Sequence, residues 1–486
     1  MRATSSASWT LGRILGSLFA LATAVLVQRA IKPKQPYYWS NLRNMHRPLH
    51  FHGEHIRNNF FEGWYYKFTN NESTHTMAVI AGVYHPPHHP GHAAQQNHTH
   101  AFVMVLGLDA PSPSAYYRFP RKDFVDLGDR TPGHESAFKV RIGNSVFAHD
   151  ELIIDLPASH YDRISEQELA AFYDTASQQY LQQFQSSKES QLRPLTVVYF
   201  RGLFPNRQEL AHQDQEAFSI KAHFQFPASA QTPLPTSLLL PSIMGATAYL
   251  PFLECIHGVA SLHHPIQRGH IATFSANDNI LSESFYDGGV GYLEKDWGIN
   301  FPSIWIWAQT NVFKTAPGSS MLFSLASIPV LGPDFSDWVK RHLPFASGLT
   351  EWPGMLLVYY HAPSKTLYNF SSYVPTAKLR SVKVSLDIDK GTQTVHFKAT
   401  TRDHNWSEIA LEANITRTIG GGTPLRTPSR SKRRMVIGVE ETTTAQTTVK
   451  LWRVGSGEIL VKDEGLGGGL EVEGNVKWLE DHINGA

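Results

Sequence analysis

A single cysteine, Cys255, in 486 residues excludes an internal disulfide framework, so stability has to come from packing and sheet hydrogen bonding in any compartment. Charge is scarce at 17%, and 43 Lys plus Arg against 42 Asp plus Glu leaves no basic footprint for nucleic acid. No Gly-x-Ser-x-Gly elbow or Ser/His/Asp order supports a hydrolase. No repeat at solenoid period is present. Gly288, Gly289 and Gly291 are followed by strand-like aromatic sequence and lack the helix that holds a pyrophosphate, so they are no dinucleotide fingerprint and no cofactor is expected.

The N-terminal apolar run, Ile14 to Val27, is about 14 residues, short of the roughly 20 that cross a bilayer squarely. Arg2 and Arg13 precede it, Arg29, Lys32 and Lys34 follow, and Ala22-Thr23-Ala24 offers a cleavage pattern, so residues 1–36 read as a signal or anchor with its linker. Five Asn-x-Ser/Thr sequons, at Asn71, Asn97, Asn369, Asn405 and Asn414, favour a membrane-associated protein of the secretory pathway, facing the ER lumen. The Ser/Thr-rich, acid-free residues 3–10 keep a plastid transit peptide as the alternative.

What is abundant is aromatic residues, at 12%, and short alternating segments. Val382, Val384, Leu386 and Ile388 alternate with polar residues, Asp389-Lys390-Gly391 turns the chain, and Val395, Phe397 and Ala399 alternate again. Phe218, Ile220, Ala222, Phe224 and Phe226 repeat the period of two. One helix is expected, from the capping box Ser165-Glu-Gln-Glu168 through Leu169, Phe172, Tyr173, Ala176, Tyr180 and Phe184, packing outside a barrel. Length implies two domains. The Pro-, Ser- and Leu-rich stretch Ala228–Pro241 marks the boundary, giving β-domains over 45–240 and 241–486. The basic insertion at about 420–434 is too polar and charged to pack and reads as disordered.

Extended backbone sorts the chemistry-bearing residues onto faces. Trp305, Trp307, Gln309 and Asn311 share one side of residues 304–311, with Ile304, Ile306 and Ala308 on the other. A tryptophan pair usually packs a core, but buried amides need partners, so this row suits an amphiphilic ligand in a barrel lumen. Upstream, Tyr292, Glu294 and Asp296 share a face, leaving Lys295 and Trp297 on the other. Near the start, Glu62, Trp64 and Tyr66 line one side of Phe60–Phe68, and Cys255, His257, Val259 and Ser261 alternate onto one face of a third segment. His85, His88, His89, His92, His98 and His100 sit among Pro and Gly with no fixed geometry, so no metal is assigned.

Three segments, Phe61-Glu-Gly-Trp-Tyr-Tyr-Lys67, Glu254-Cys-Ile-His-Gly258 and Gly291 to Asn311 with its Glu-Lys-Asp-Trp-Gly run, resemble the tocopherol cyclase family in kind and order. Leu411–Ile419 and Gly467–Gly474 fit its closing strands. The resemblance implies an all-β protein of two lipocalin-like antiparallel β-barrel domains, a fold shared with carotenoid hydratases and some fungal pericyclases. It also implies a cyclase that protonates a prenyl double bond so that the phenol oxygen closes a chromanol ring. A carboxylic acid in a dry pocket keeps its proton near neutrality, and Trp faces stabilise a cation. On that basis Asp296 is the expected acid, with Glu294 or His257 as partner or phenol base. Glu62, Trp64, Tyr66, Lys295, Trp297, Trp305, Trp307, Gln309 and Asn311 are expected to bind an isoprenoid substrate. Lys295 could instead pair with a carboxylate and depress its pKa. Ile299-Asn300 in place of a glycine pair, with the insertions at 165–191 and 420–434, departs from the plant enzymes. A non-catalytic isoprenoid carrier, or a hydratase or pericyclase, are the alternatives.

Overall fold

A computed structural model describes residues 47–87, 98–109, 112, 114–129, 138–186, 216–235, 237, 240–250, 253–329, 336, 339, 341–342 and 350–485. The N-terminal apolar run, His88, His89, His92, Asn97 and the side chain of Phe184 lie outside the described residues.

The alternating segments form three sheets with antiparallel pairing. The first domain faces a six-stranded sheet against a seven-stranded one. In the six-stranded sheet the order is Cys255–Pro265, Val290–Gly298, Phe60–Thr69, Thr76–His85, His100–Leu106 and Ser114–Pro120. Even-numbered residues of Phe60–Thr69 point into the core between the sheets, where Phe68 stacks on Phe224 at 4.2 Å and Trp64 lies parallel to Phe138 at 6.0 Å. Aromatic rings at these spacings bury the largest apolar areas the sequence offers.

The second domain is an 11-stranded sheet curled around its own core, in which Phe323 stacks on Phe397 at 3.9 Å and Ile306 and Ala308 are fully buried. Its outermost strand, Lys378–Asp387, would present unpaired backbone. The C-terminal helix α2 (Lys477–Asn484) covers that edge with side chains that imitate a strand. Asn484 accepts from the Val382 amide at 3.1 Å and donates to its carbonyl at 2.8 Å, while Glu480 accepts from the Val384 amide at 2.5 Å. The expected two lipocalin-like antiparallel β domains are thus present.

The change of domain differs from expectation. Strands from Cys255 to Gly298 pair with the N-terminal half, so the sheets change between Gly298 and Trp305 instead of at 240–241. Within the Pro- and Ser-rich stretch Ala228–Ala230 form a 3-10 turn, and Thr232 is bridged to His263 of the first domain. Breaker residues mark the end of a strand, not of a domain.

The expected helix forms as α1 (Glu166–Ser186), with Glu168 N–H donating to Ser165 Oγ at 3.2 Å and the Ser165 hydroxyl facing Glu168 Oε2 at 3.4 Å. The insertion at 420–434, expected to be disordered, is a β-hairpin. Thr423–Ser429 pairs with the start of Arg434–Arg453, and only the tip carries the basic run. Leu425, Met435 and Val439 are buried beneath it, so three apolar side chains outweigh the polar composition.

Candidate active site

Hydrogen bonds join the domains. Tyr65 donates to Glu441 at 2.5 Å, Asn311 Nδ2 to the Gly291 carbonyl at 2.9 Å, Thr443 to the Thr76 carbonyl at 3.2 Å, and Lys67 to the Gly467 carbonyl. Beside this seam the outer faces of the two domains separate and enclose a cavity of about 180 Å³, walled by Tyr65, His257, Asp296, Trp305, Trp307 and Glu471. The site therefore sits between the domains and not in a barrel lumen. Trp305 and Trp307 point outward from the second domain, because Ile306 and Ala308 of the same strand fill its core.

Strand register decides which expected residues meet here. Residues directly opposite in an antiparallel pair share a face. Gly63 lies opposite Asp296 and Tyr65 opposite Glu294, whereas Glu62 lies opposite Trp297 and Trp64 opposite Lys295. Odd-numbered residues of the first motif thus join even-numbered residues of the second on the cavity side. His257 arrives from the next strand, opposite Asp296.

The structure brings Asp296, Glu294, His257, Trp305 and Trp307 together as expected. It sends Glu62, Trp64, Tyr66, Lys295 and Trp297 to the opposite side of the sheet. There Lys295 pairs with Glu62 and lies over the Trp64 and Trp297 rings, each 4.9 Å from its nitrogen. His52 stacks on Trp297 at 4.4 Å and bonds both Lys295 and Glu62. Burial alone would raise the Glu62 carboxyl, but Lys295 and the His52 hydrogen bond hold it below its ordinary value. Lys295 therefore pairs with neither cavity carboxylate. Gln309 and Asn311 are buried and do not line the cavity; Asn311 Nδ2 clamps the domains instead of a head group.

On the first-domain wall His257 bridges two carboxylates, with Nδ1 2.9 Å from Asp296 Oδ1 and Nε2 3.3 Å from Glu294 Oε2. Burial opposes charge on the ring, yet Asp296 and Glu294 raise it well above its ordinary value, so it is an imidazolium. Asp296 also accepts from the Cys255 thiol at 3.4 Å, and burial with Asp296 alongside pushes that thiol's pKa well up. Glu294 accepts from Tyr292 at 2.5 Å. Asp296, expected as the acid, thus faces both the Cys255 thiol and His257 Nδ1. Ligand atoms of His257, Glu294 and Asp296 lie within 4.8 Å of one another, a spacing that suits a divalent ion as well as shared protons.

The second-domain wall holds residues that sequence reasoning missed. Glu471 lies opposite Trp307 and accepts from the Trp305 indole at 2.7 Å. Glu441, on the neighbouring strand, accepts from Tyr65. Burial pushes Glu471 up to about 7 and Glu441 well above the ordinary carboxyl range, each reinforced by acidic neighbours. Gly469 gives the Trp307 indole its place: a Cβ there would sit 2.5 Å from the ring. Glu471 lies in the Gly467–Gly474 motif, so the signal was there, but its pairing to the Trp strand was not.

Fold and site together define a two-domain antiparallel β protein with an acid- and tryptophan-walled interdomain cavity. Residues 241–474, which carry most of both cavity walls, match the model of the family described as tocopherol cyclase-like. Among solved structures it is similar to CghA at 8% identity and a TM-score of 0.41, and to CghA with Sch210972 at 9% and 0.39. Kievitone hydratase from Nectria haematococca is similar at 8% and 0.31. Each of these alignments covers 85% of this chain and 88% of the other. No curated protein matches.

Proposed function

We propose that the protein is an isoprenoid cyclase that binds a prenylated phenol or quinol between its domains and closes a chromanol-type ring. Protonation of the prenyl double bond forms a C–H bond and leaves a tertiary cation. The phenol oxygen attacks that cation, the C–O bond forms, and the phenol O–H gives its proton to the site. One observation carries this reading: the His257 ring held between Asp296 and Glu294 faces Trp305 and Trp307 across a largely apolar cavity.

Each part has a task in that reaction. Asp296 and Glu294, as carboxylates, can accept the phenol proton, and His257 holds them in place and relays it. An indole face near the cation is worth about 0.5–2 kcal/mol. The apolar walls contributed by Phe61, Phe102 and Leu425 exclude the water that would quench it. The apolar N-terminal run would hold the enzyme at a membrane of the secretory pathway, where such substrates dissolve.

The test is incubation of the purified protein with prenylquinols of varied chain length, followed by chromatography for ring-closed product. Ring closure by the wild type, reduced about 10²–10⁴-fold in Asp296→Asn with substrate binding retained, is the expected result. Binding without any product would replace this reading with a carrier, and a hydrated, unclosed product would replace it with a hydratase.

A further inference from the structure

The first-domain wall is built of acceptors around a cation and leaves open where the proton for the double bond comes from. The facing wall answers differently. Glu441 and Glu471 stand on adjacent strands, and each has one oxygen bonded to a neutral donor, Tyr65 for Glu441 and the Trp305 indole for Glu471. Each is left with a second oxygen that can carry a proton. Among the described residues no cation bonds either carboxyl; Lys67, nearby, is bonded to the Gly467 carbonyl, and burial lowers it to about 7. The charged groups acting on the pair are Glu294 and Asp296 from the first domain, Lys67 on Glu441, and Arg417 and Glu473 on Glu471.

A second observation points to a ligand at this wall. Trp307 lines the cavity directly opposite Glu471 in the ladder, is 6% exposed, and its buried indole N–H has no partner among the described residues. A buried indole N–H ordinarily finds an acceptor. A substrate oxygen held there would sit beside the carboxyl pair.

We infer that Glu441 and Glu471 form a second acid centre, and that this pair, not Asp296, delivers the proton to the isoprenoid double bond while the Trp307 N–H holds a substrate oxygen. The inference rests on the reaction proposed above for its chemistry, but its protonation state does not. The Glu471 O–H bond breaks as the C–H bond forms, leaving a carboxylate. The phenol O–H proton passes to the Asp296–His257–Glu294 wall and returns to Glu471 before the next turnover, so the isomerisation consumes no acid. The facing walls thus divide the labour that acid and base steps require, with Glu441 and Glu471 giving the proton and the Asp296–His257–Glu294 wall taking one up.

The experiment is infrared spectroscopy of the ligand-free protein, which reads protonated carboxyls without any substrate. We expect a protonated-carboxyl band at neutral pH that shrinks in Glu471→Gln and Glu441→Gln and persists in Asp296→Asn. In the wild type, part of it should titrate near pH 7, where burial places Glu471. Absence of the band from the wild type, a result that needs no variant, or its loss in a folded Asp296→Asn alone, overturns the inference. If prenylquinols prove to be substrates, Glu471→Gln should lower turnover about 10²–10⁴-fold, with Glu471→Asp recovering part of it. Wild-type turnover in the Glu441→Gln/Glu471→Gln double variant would assign the proton elsewhere. A wild type with the band but no ring closure would refute the proposed reaction and leave the protonated pair standing.

Discussion

The strands Phe60–Thr69 and Val290–Gly298 show two faces built from the same residue types and put to opposite use. On one face Glu62, Lys295 and His52 form a dry ionic cluster between Trp64 and Trp297, and the two ions are matched to each other. On the other, Glu294 and Asp296 flank the single imidazole of His257 and face open space. A carboxylate among tryptophans is therefore no sign of catalysis in itself. What separates the faces is whether the charges are closed upon one another or left addressing a cavity.

The largest expected effect tests that division directly. Lys295→Met leaves the Glu62 charge buried without its cation, a change that costs roughly 3–5 kcal/mol, whereas pairing it with Glu62→Gln should recover much of the loss. Asp296→Asn keeps the side-chain shape and leaves His257 its second carboxylate, so its cost should stay near the ~1 kcal/mol of an ordinary substitution. Urea midpoints of the three variants decide it. If Asp296→Asn destabilises as much as Lys295→Met, the cavity face is structural too and the comparison fails.

The two faces should also respond to pH with opposite sign. Glu62 is held below its ordinary 4.5 in the folded state, so its stabilisation is present above that value and lost as pH falls through the lowered one. Glu471 is raised to about 7, so the folded state holds a proton the unfolded chain has released. Its contribution is fully present below about 4.5 and is lost as pH rises toward about 7. Glu473, raised to about 8 by burial, and the elevated His257 act in the same direction, losing stability on the alkaline side. Thermal midpoints followed across pH should show an acid limb that flattens in the Glu62→Gln/Lys295→Met pair and an alkaline limb that flattens in Glu471→Gln. An alkaline limb unchanged in Glu471→Gln would mean that this carboxyl is ionised throughout.

Much of this division was legible in the residues and one part was not. Alternation placed Glu294 and Asp296 together, separated them from Lys295 and Trp297, and set Trp305 and Trp307 apart from Ile306 and Ala308, because side-chain direction follows from extended backbone alone. Which face of Phe60–Phe68 meets Asp296 depends on the register between strands over 200 residues apart, and a shift of one residue exchanges the faces. Without that register alternation alone cannot tell Glu62, Trp64 and Tyr66 from Gly63 and Tyr65 as the residues that face the cavity. Glu441 and Glu471 were hidden for the same reason, since only the pairing of Ile459–Glu473 with Trp305–Thr310 brings them to the tryptophans. The hairpin at 423–434 escaped because composition weighed its charged tip above Leu425 and Met435.

The smallest effect gives the sharpest contrast, because it compares one residue type on the two faces. Trp297 stacks on His52 and lies under Lys295, so Trp297→Phe weakens a stacking pair and a cation–π contact on the closed face, on the side of the sheet away from Glu471. It should lower stability by about 1 kcal/mol and leave the cavity's titration alone. Trp305 instead donates to Glu471, and that hydrogen bond opposes the upward shift which burial imposes on the carboxyl. Trp305→Phe keeps an aromatic wall and removes the donor, so Glu471 should titrate above about 7, with little change in stability. The infrared titration of the two variants reads this without substrate. A Glu471 transition moved upward by Trp305→Phe and unmoved by Trp297→Phe would show that the tryptophans on the cavity side set a proton's position while those on the closed side only pack. Equal shifts would place both pairs in one electrostatic unit spanning the sheet.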